Sequence, residues 1–152
     1  MEKATKINQV GIDLITYYEG FKSAPYLCPA NVPTIGYGTT RYPDGKKVSL
    51  SDSPINKDKA IAFLKHDLTV FELAVDAMAT DALTQNQFNA LVSFAYNLGS
   101  TALKSSTLLK KVNANPNDQT IKLEFSKWVY ANGKKLPGLV ARRNKEAEIY
   151  FK

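Results

Sequence analysis

Cysteine and histidine are almost missing from this chain of 152 residues, which has one of each, Cys28 and His66. A single cysteine excludes an intramolecular disulfide. One Cys and one His, with neither an H-E-x-x-H nor a paired-cysteine spacing, give no expectation of a metal site or of any cofactor. Long apolar runs are missing too, and nothing approaches the roughly 18–20 residues needed to cross a bilayer, so stable membrane insertion is not expected. The first ten residues carry Glu2, Lys3 and Lys6 and no continuous apolar stretch, unlike a secretory signal or an anchor. Internal repeats and low-complexity tracts are absent as well.

What the chain has is an ordinary globular composition, 44% hydrophobic and 22% charged, enough for one domain folded as two lobes. Its formal charge of +6 favours a polyanionic partner: nucleic acid, an anionic membrane surface or a bacterial wall. The same excess also serves mere solubility. Nucleic-acid binding would need basic residues clustered with stacking aromatics. Here they are scattered in local pairs such as Lys110-Lys111 and Arg142-Arg143, so no nucleic-acid partner is expected.

Ile7, Val10, Gly11, Leu14 and Tyr18 recur at helical spacing, predicting a helix from about Thr5 to Glu19 with Thr5 as N-cap and Gly20 in the left-handed position beyond it. Glu19 then falls in the last turn, where the helix dipole disfavours negative charge. From Phe21 to Leu50, four prolines and three glycines exclude a long helix. The short β-prone pieces Tyr26-Leu27, Thr34–Thr40 and Lys47–Leu50 predict a small antiparallel sheet that must lean on helices. Beyond Pro54, Ile61, Leu64, Leu68, Phe71, Val75 and Met78 mark one long helix, and Thr84-Gln85-Asn86-Gln87 is a capping box opening another. Further helices are predicted near 106–112, 117–130 and 137–150.

The expected class is therefore α+β and mostly helical. It comprises a small β-containing lobe over about 20–56, an interlobe helix over about 57–80, and a helical lobe over about 81–152 joined by the N-terminal helix. All 152 residues form a single domain.

Three chemical patterns compete. A Cys28–His66 thiol dyad is disfavoured because His66 falls about 200° round its helix from the buried stripe, at ~100° per residue. Gly36-Tyr37-Gly38 lacks the third glycine of a dinucleotide fingerprint and the Gly-Lys of a P-loop. Glu19, at a helix end before a Gly- and Pro-rich sheet, can project into a cleft as an acid.

The surroundings of Glu19 decide among them. Glu19-Gly20-Phe21, Ala24-Pro25-Tyr26 and Thr34-Ile35-Gly36-Tyr37-Gly38-Thr39-Thr40 closely resemble the phage-type lysozymes, muramidase endolysins of glycoside hydrolase family 24. The resemblance continues through Gln87–Gly99 and Leu136–Glu146, spanning nearly the whole chain. It implies a lysozyme-like two-lobed fold and hydrolysis of the β-1,4 bond between N-acetylmuramic acid and N-acetylglucosamine. Peptidoglycan glycan strands are the partner, the protein acts as a monomer, and the outcome is host cell lysis.

The family trio places Glu19 as general acid and Thr34 as a water holder. The position between them, an acid in the commoner pattern, is Cys28, as in one branch of the family. Two roles for it stay open: a thiolate in place of the carboxylate, or a thiol that orients water. The resemblance also matches Arg142 to the ion-pair partner of Glu19, and Gly36, Gly38, Tyr37 and Asn97 to the substrate-binding cleft. Tyr37 and Tyr42 are read as sugar-stacking rings or as packing residues. It implies storage in the host cytoplasm until release through a holin-type pore. A lytic transglycosylase, which needs one Glu and no water, is the alternative chemistry.

Overall fold

The computed structural model describes residues 3–152. Its elements, in chain order, are α1 (Gln9–Glu19), β1 (Lys22–Leu27), β2 (Pro33–Gly36), α2 (Lys57–Met78), α3 (Gln85–Leu98), α4 (Ser100–Lys104), α5 (Thr107–Ala114), α6 (Ile121–Ser126), β3 (Tyr130–Ala131), β4 (Lys134–Lys135) and α7 (Pro137–Tyr150). The chain divides into two compact units, one of Met1–Tyr18 with Val70–Lys152 and one of Glu19–Thr69. Helix α2 passes from the second unit into the first. No helix among the described residues is long and apolar enough to cross a membrane.

In the helical unit, α1 begins at Gln9, four residues later than its periodicity predicts. The difference has a cause. The Ile7 N–H donates to Glu72 Oε2 at 2.8 Å and the Asn8 N–H to Asn89 Oδ1 at 3.3 Å. Side chains of α2 and α3 thus hold the chain before Gln9 and satisfy two amides that a first helical turn would leave unpaired. Gly11 lets α1 approach α3, since a Cβ there would stand 2.8 Å from Asn89 Oδ1. Helix α3 opens with the predicted capping box, Thr84 accepting from the Gln87 N–H and Gln87 reaching back to Thr84. It is buried along nearly its whole length, from Gln87 to Ala95.

Helix α7 packs on α3, and charge lies at their contact. Glu146 is fully buried and Arg143 nearly so, with Arg143 Nε 2.8 Å from Glu146 Oε1. Arg142 Nε stands 3.4 Å from Glu146 Oε2, which also accepts from the Ser93 hydroxyl at 2.6 Å. Around this network the rings of Phe94, Phe125, Trp128 and Tyr150 meet edge to face at 5.4–6.0 Å.

Two elements of this unit differ from the sequence expectation. The helix predicted over 117–130 is only α6, and β3 and β4 form a hairpin pairing Tyr130 with Lys135 and Ala131 with Lys134. Asn132 and Gly133, which join them, have φ of 51° and 77°, the left-handed pair that a two-residue hairpin turn requires. Helix α4 was also not anticipated.

In the smaller unit, β1 and β2 pair antiparallel, with Tyr26 opposite Thr34 and Leu27 opposite Pro33. The register slips between Lys22 and Tyr26. Pro25, which has no N–H for a ladder, falls in that irregular stretch. The predicted third strand, Lys47–Leu50, is reduced to one bridge between Arg41 and Lys47. Ala60, Leu64 and Leu68 on α2 and Ile35, Tyr37 and Val48 form this unit's buried set.

The network between α3 and α7 yields a stability prediction. Replacing Glu146 with Ala removes the carboxylate that both guanidinium groups share, in a site withdrawn from the surface. The expected loss is about 3–5 kcal/mol, the usual cost of breaking a buried pair from one side. Urea denaturation measures it, and a loss under about 1 kcal/mol would show that the network contributes no more than a surface pair.

Candidate active site

The site begins with the turn that follows β1. The Cys28 N–H donates to the Val32 carbonyl at 3.1 Å, and the Asn31 N–H to the Cys28 carbonyl at 2.8 Å. Pro29 and Ala30 make the bend, and Asn31 takes φ of 60°, a conformation its short amide side chain tolerates. This is a three-residue hairpin loop closed by Cys28 and Val32. Strand side chains alternate, so Tyr26 and Cys28 share a face, and Thr34, the cross-strand partner of Tyr26, shares it too. The hairpin therefore brings Cys28 and Thr34 together, as the motif predicts.

The same turn acts on the thiol. The backbone N–H groups of Val32 and Ala30 favour the anionic form of the Cys28 sulfur and hold its pKa below the ordinary thiol value, with the Thr34 hydroxyl adding to the effect. Partial burial of the side chain works the other way but is smaller. Converging amides of this kind favour an anion. Sequence alone offered only an unperturbed thiol; the turn raises the share of it present as thiolate at a given pH.

Thr34 is 3% exposed, and its hydroxyl donates to the Val32 carbonyl at 2.8 Å. A hydroxyl has one proton, so when Val32 takes it the oxygen keeps its lone pairs as an acceptor. That arrangement suits a water molecule donating one of its own protons.

Glu19 is the last residue of α1 and half-buried, followed by Gly20 at φ of 73° as predicted. Its charge reaches the hairpin. The Tyr26 phenol titrates above its ordinary value, first because of burial and then because negative charge on Cys28 and Glu19 opposes its ionisation. Tyr26 thus belongs to the site, although the motif did not single it out. The signal was available in the alternation that puts positions 26, 28 and 34 on one face.

His66 is exposed on α2, and Cys28 is polarised by amides and Thr34 rather than by an imidazole. The thiol dyad does not form. No group of three or more His, Cys, Asp or Glu among the described residues is arranged to hold a metal ion.

Two of the expected cleft residues have other work in the structure. Gly36 is buried at φ of 67°, and a Cβ on it would stand 3.1 Å from the Ala60 Cβ, so the glycine serves close packing of β2 on α2. Tyr37 is 6% exposed, its ring tilted against Phe21 at 5.6 Å. Of the two readings of Tyr37, this burial favours packing. Gly38, at φ of 100°, keeps partial exposure. Tyr42 donates to Asp52 Oδ2 at 2.7 Å and meets Phe63 edge-on, which also favours packing over stacking.

In the helical unit, the Asn97 carbonyl oxygen accepts from Arg143 at 2.8 Å, which fixes the orientation of its amide. Arg142 is buried beside Glu146 and Ser93, with its guanidinium 5.9 Å from the Tyr18 ring centroid.

The turn geometry predicts a measurable thiol titration. Thiolate absorbance near 240 nm should rise with a midpoint below the free-thiol value of about 8.5. Thr34→Val should move the midpoint up by less than the whole shift, since the two backbone amides remain. A midpoint at or above the free value would show that those amides do not reach the sulfur.

The chain matches the family described as Phage lysozyme over residues 16–146. It is 42% identical to the endolysin of Bacillus phage B103 over 95% of its own length, although it spans only 54% of that relative. It is 37% identical to the endolysin of Acyrthosiphon pisum secondary endosymbiont phage 1, covering 95% of this chain and 97% of the relative. Among solved structures, an endolysin from Escherichia coli O157:H7 phage FAHEc1 superposes with a TM-score of 0.88 at 36% identity, covering 99% of this chain and 97% of the other. A P22 lysozyme mutant gives 0.86 at 33%, covering 97% and 99%. In sequence and in its mostly helical fold with a small antiparallel sheet, the chain belongs to the phage lysozyme family.

Proposed function

We propose that this protein is an endolysin that hydrolyses the β-1,4 bond between N-acetylmuramic acid and N-acetylglucosamine in peptidoglycan, causing host cell lysis. The observation that carries the reading is the hairpin face on which Thr34 lies opposite Tyr26 and Cys28 follows at the turn, in a chain of the phage lysozyme family.

Glycoside hydrolysis needs an acid to protonate the departing oxygen and a group on the opposite face of the sugar to guide water. Glu19 is the proton donor. A water molecule donates one hydrogen to the Thr34 oxygen and the other to the Cys28 sulfur. The lowered thiol pKa lets the thiolate take that second proton as the water oxygen attacks the anomeric carbon. The bond to the leaving oxygen breaks as Glu19 delivers its proton, and direct attack inverts the anomeric centre. No cofactor enters this scheme. The wall is reached from the cytoplasm through a holin-type pore.

Glu19→Gln keeps the shape but has no proton to give, and should lower the rate by about 10²–10⁴. Cys28→Ala should lose much of the activity and Cys28→Asp should keep a substantial part. The pH profile separates the two thiol roles. A thiolate base is active only when deprotonated, so activity falls as pH drops through the thiol pKa. In Cys28→Asp that acid limb should move down toward the carboxylate range near about 4. A limb that stays in place would mean that the sulfur only orients water. Mass spectrometry of digested peptidoglycan decides the reaction class: ordinary reducing ends support hydrolysis, whereas 1,6-anhydro ends would make the protein a transglycosylase.

A further inference from the structure

A phenol withdrawn from solvent ordinarily finds a hydrogen-bond partner inside the fold. Three tyrosines of this chain do so: Tyr18 donates to the Ala141 carbonyl at 3.2 Å, Tyr42 to Asp52 at 2.7 Å and Tyr150 to the Pro116 carbonyl at 2.7 Å. Tyr17 and Tyr130 are well exposed and have solvent instead. Tyr26 follows neither pattern. It is half-buried, yet among the described residues no group accepts from its hydroxyl. The residue stands directly across the ladder from Thr34, and Cys28 follows two positions on along the same face. Side chains so opposed have Cβ atoms about 4.5–5.5 Å apart. The unpartnered donor thus lies beside both groups assigned to the water.

The proton of this donor stays where it is. Burial and the charges of Cys28 and Glu19, that of Cys28 the larger, raise the phenol pKa, while the turn lowers that of the thiol. A thiolate at position 28 therefore cannot take the phenol's proton, and Tyr26 remains a donor whenever Cys28 is an anion. A water that donates one hydrogen to Thr34 and the other to Cys28 is held at two points. It can still swing on an arc about the line joining the two acceptors, and a nucleophile that swings is seldom aligned. Its oxygen keeps two lone pairs, one for the anomeric carbon and one to spare. We propose that Tyr26 is the third ligand of the attacking water, donating its O–H to the lone pair that does not attack. As the water adds, one of its protons passes to the sulfur, the other stays on the new sugar hydroxyl, and the phenol keeps its own. The inference rests on the hydrolytic reading above and adds to it the residue that fixes the oxygen.

The test compares the whole protein with Tyr26→Phe, which keeps the ring and loses only the hydroxyl. On soluble peptidoglycan strands kcat should fall about three- to tenfold, the scale of one hydrogen bond, with KM within about twofold. Tyr26→Phe combined with Thr34→Val should lose less than the product of the two separate losses, because both side chains hold one water. Isotope-edited NMR of the unmutated protein reads the neighbourhood without turnover. The Tyr26 Cζ resonance should shift as Cys28 ionises, and that inflection should vanish in Cys28→Ala. An unchanged kcat, a loss carried by KM alone as for a sugar contact, fully multiplicative losses, or no inflection at the thiol midpoint would each overturn the assignment. The two readings fail separately. Ordinary reducing ends from an enzyme whose kcat ignores Tyr26→Phe would sink this inference alone, whereas 1,6-anhydro ends from the unmutated protein would sink the hydrolytic reading and leave no water to hold.

Discussion

Two guanidinium groups and one carboxylate, withdrawn almost wholly from water, are the constraint on which the helical unit depends. Glu146 accepts from Ser93 and stands within 3.4 Å of both Arg142 and Arg143, and Arg143 in turn holds Asn97. Taking these charges out of water costs more than an apolar contact of the same size, so the network is not there for raw stability. It restricts geometry instead. Both arginines lie on α7 with Glu146, so the register of α7 on α3 is read by the groups that cross between the helices: Ser93, which donates to Glu146 and accepts from Arg142, and Asn97, which accepts from Arg143. Asn97 owes its orientation to that contact, since its carbonyl oxygen accepts from Arg143.

In the smaller unit the governing constraint is backbone, not charge. Pro29 and Asn31 form a loop that leaves the N–H groups of Ala30 and Val32 aimed at position 28. Gly36 then lets β2 close on α2 through Ala60, and the Thr39 hydroxyl donates to Asp67 on α2 at 2.6 Å. With β2 held from α2 at two points, Thr34 has little freedom, and its hydroxyl chooses between the Val32 carbonyl and the Cys28 sulfur.

Periodicity and caps made most of the helices legible: Leu64, Leu68 and Val75 are buried where the stripe predicts, and Thr84 caps α3. The stripe on α2 is turned slightly, burying Ala60 and Glu72 while Ile61 and Phe71 stay half-exposed. Apolar size alone does not reveal that Glu72 is needed inside for the Ile7 amide. Asn132-Gly133 read as punctuation because only two residues flank it on each side, too few to show alternation. At the site, Glu19 was legible from Gly20, and positions 28 and 34 from the family resemblance. Tyr37 and Gly36 could not be assigned to cleft or packing, because a Gly-Tyr-Gly run has the same composition whether it faces a sugar or a helix. Only the position of Ala60 and Phe21 distinguishes the two.

The hairpin also explains how a cysteine can occupy a position where the commoner motif has an acid. The donors that favour negative charge at residue 28 are main-chain amides, present whatever side chain is attached. A short side chain with an anionic tip at this turn meets them, as Asp does in an Asx-turn, where its oxygen accepts from the N–H two residues on. Sulfur accepts more weakly than oxygen, so a thiol gains less from those amides than a carboxylate would. It also starts from a higher intrinsic pKa, so the same field that leaves an aspartate ionised moves a cysteine only part of the way. The loop therefore supplies the anion site and the residue supplies the anion, so exchanging Asp for Cys changes the pH range over which residue 28 is charged more than it changes geometry.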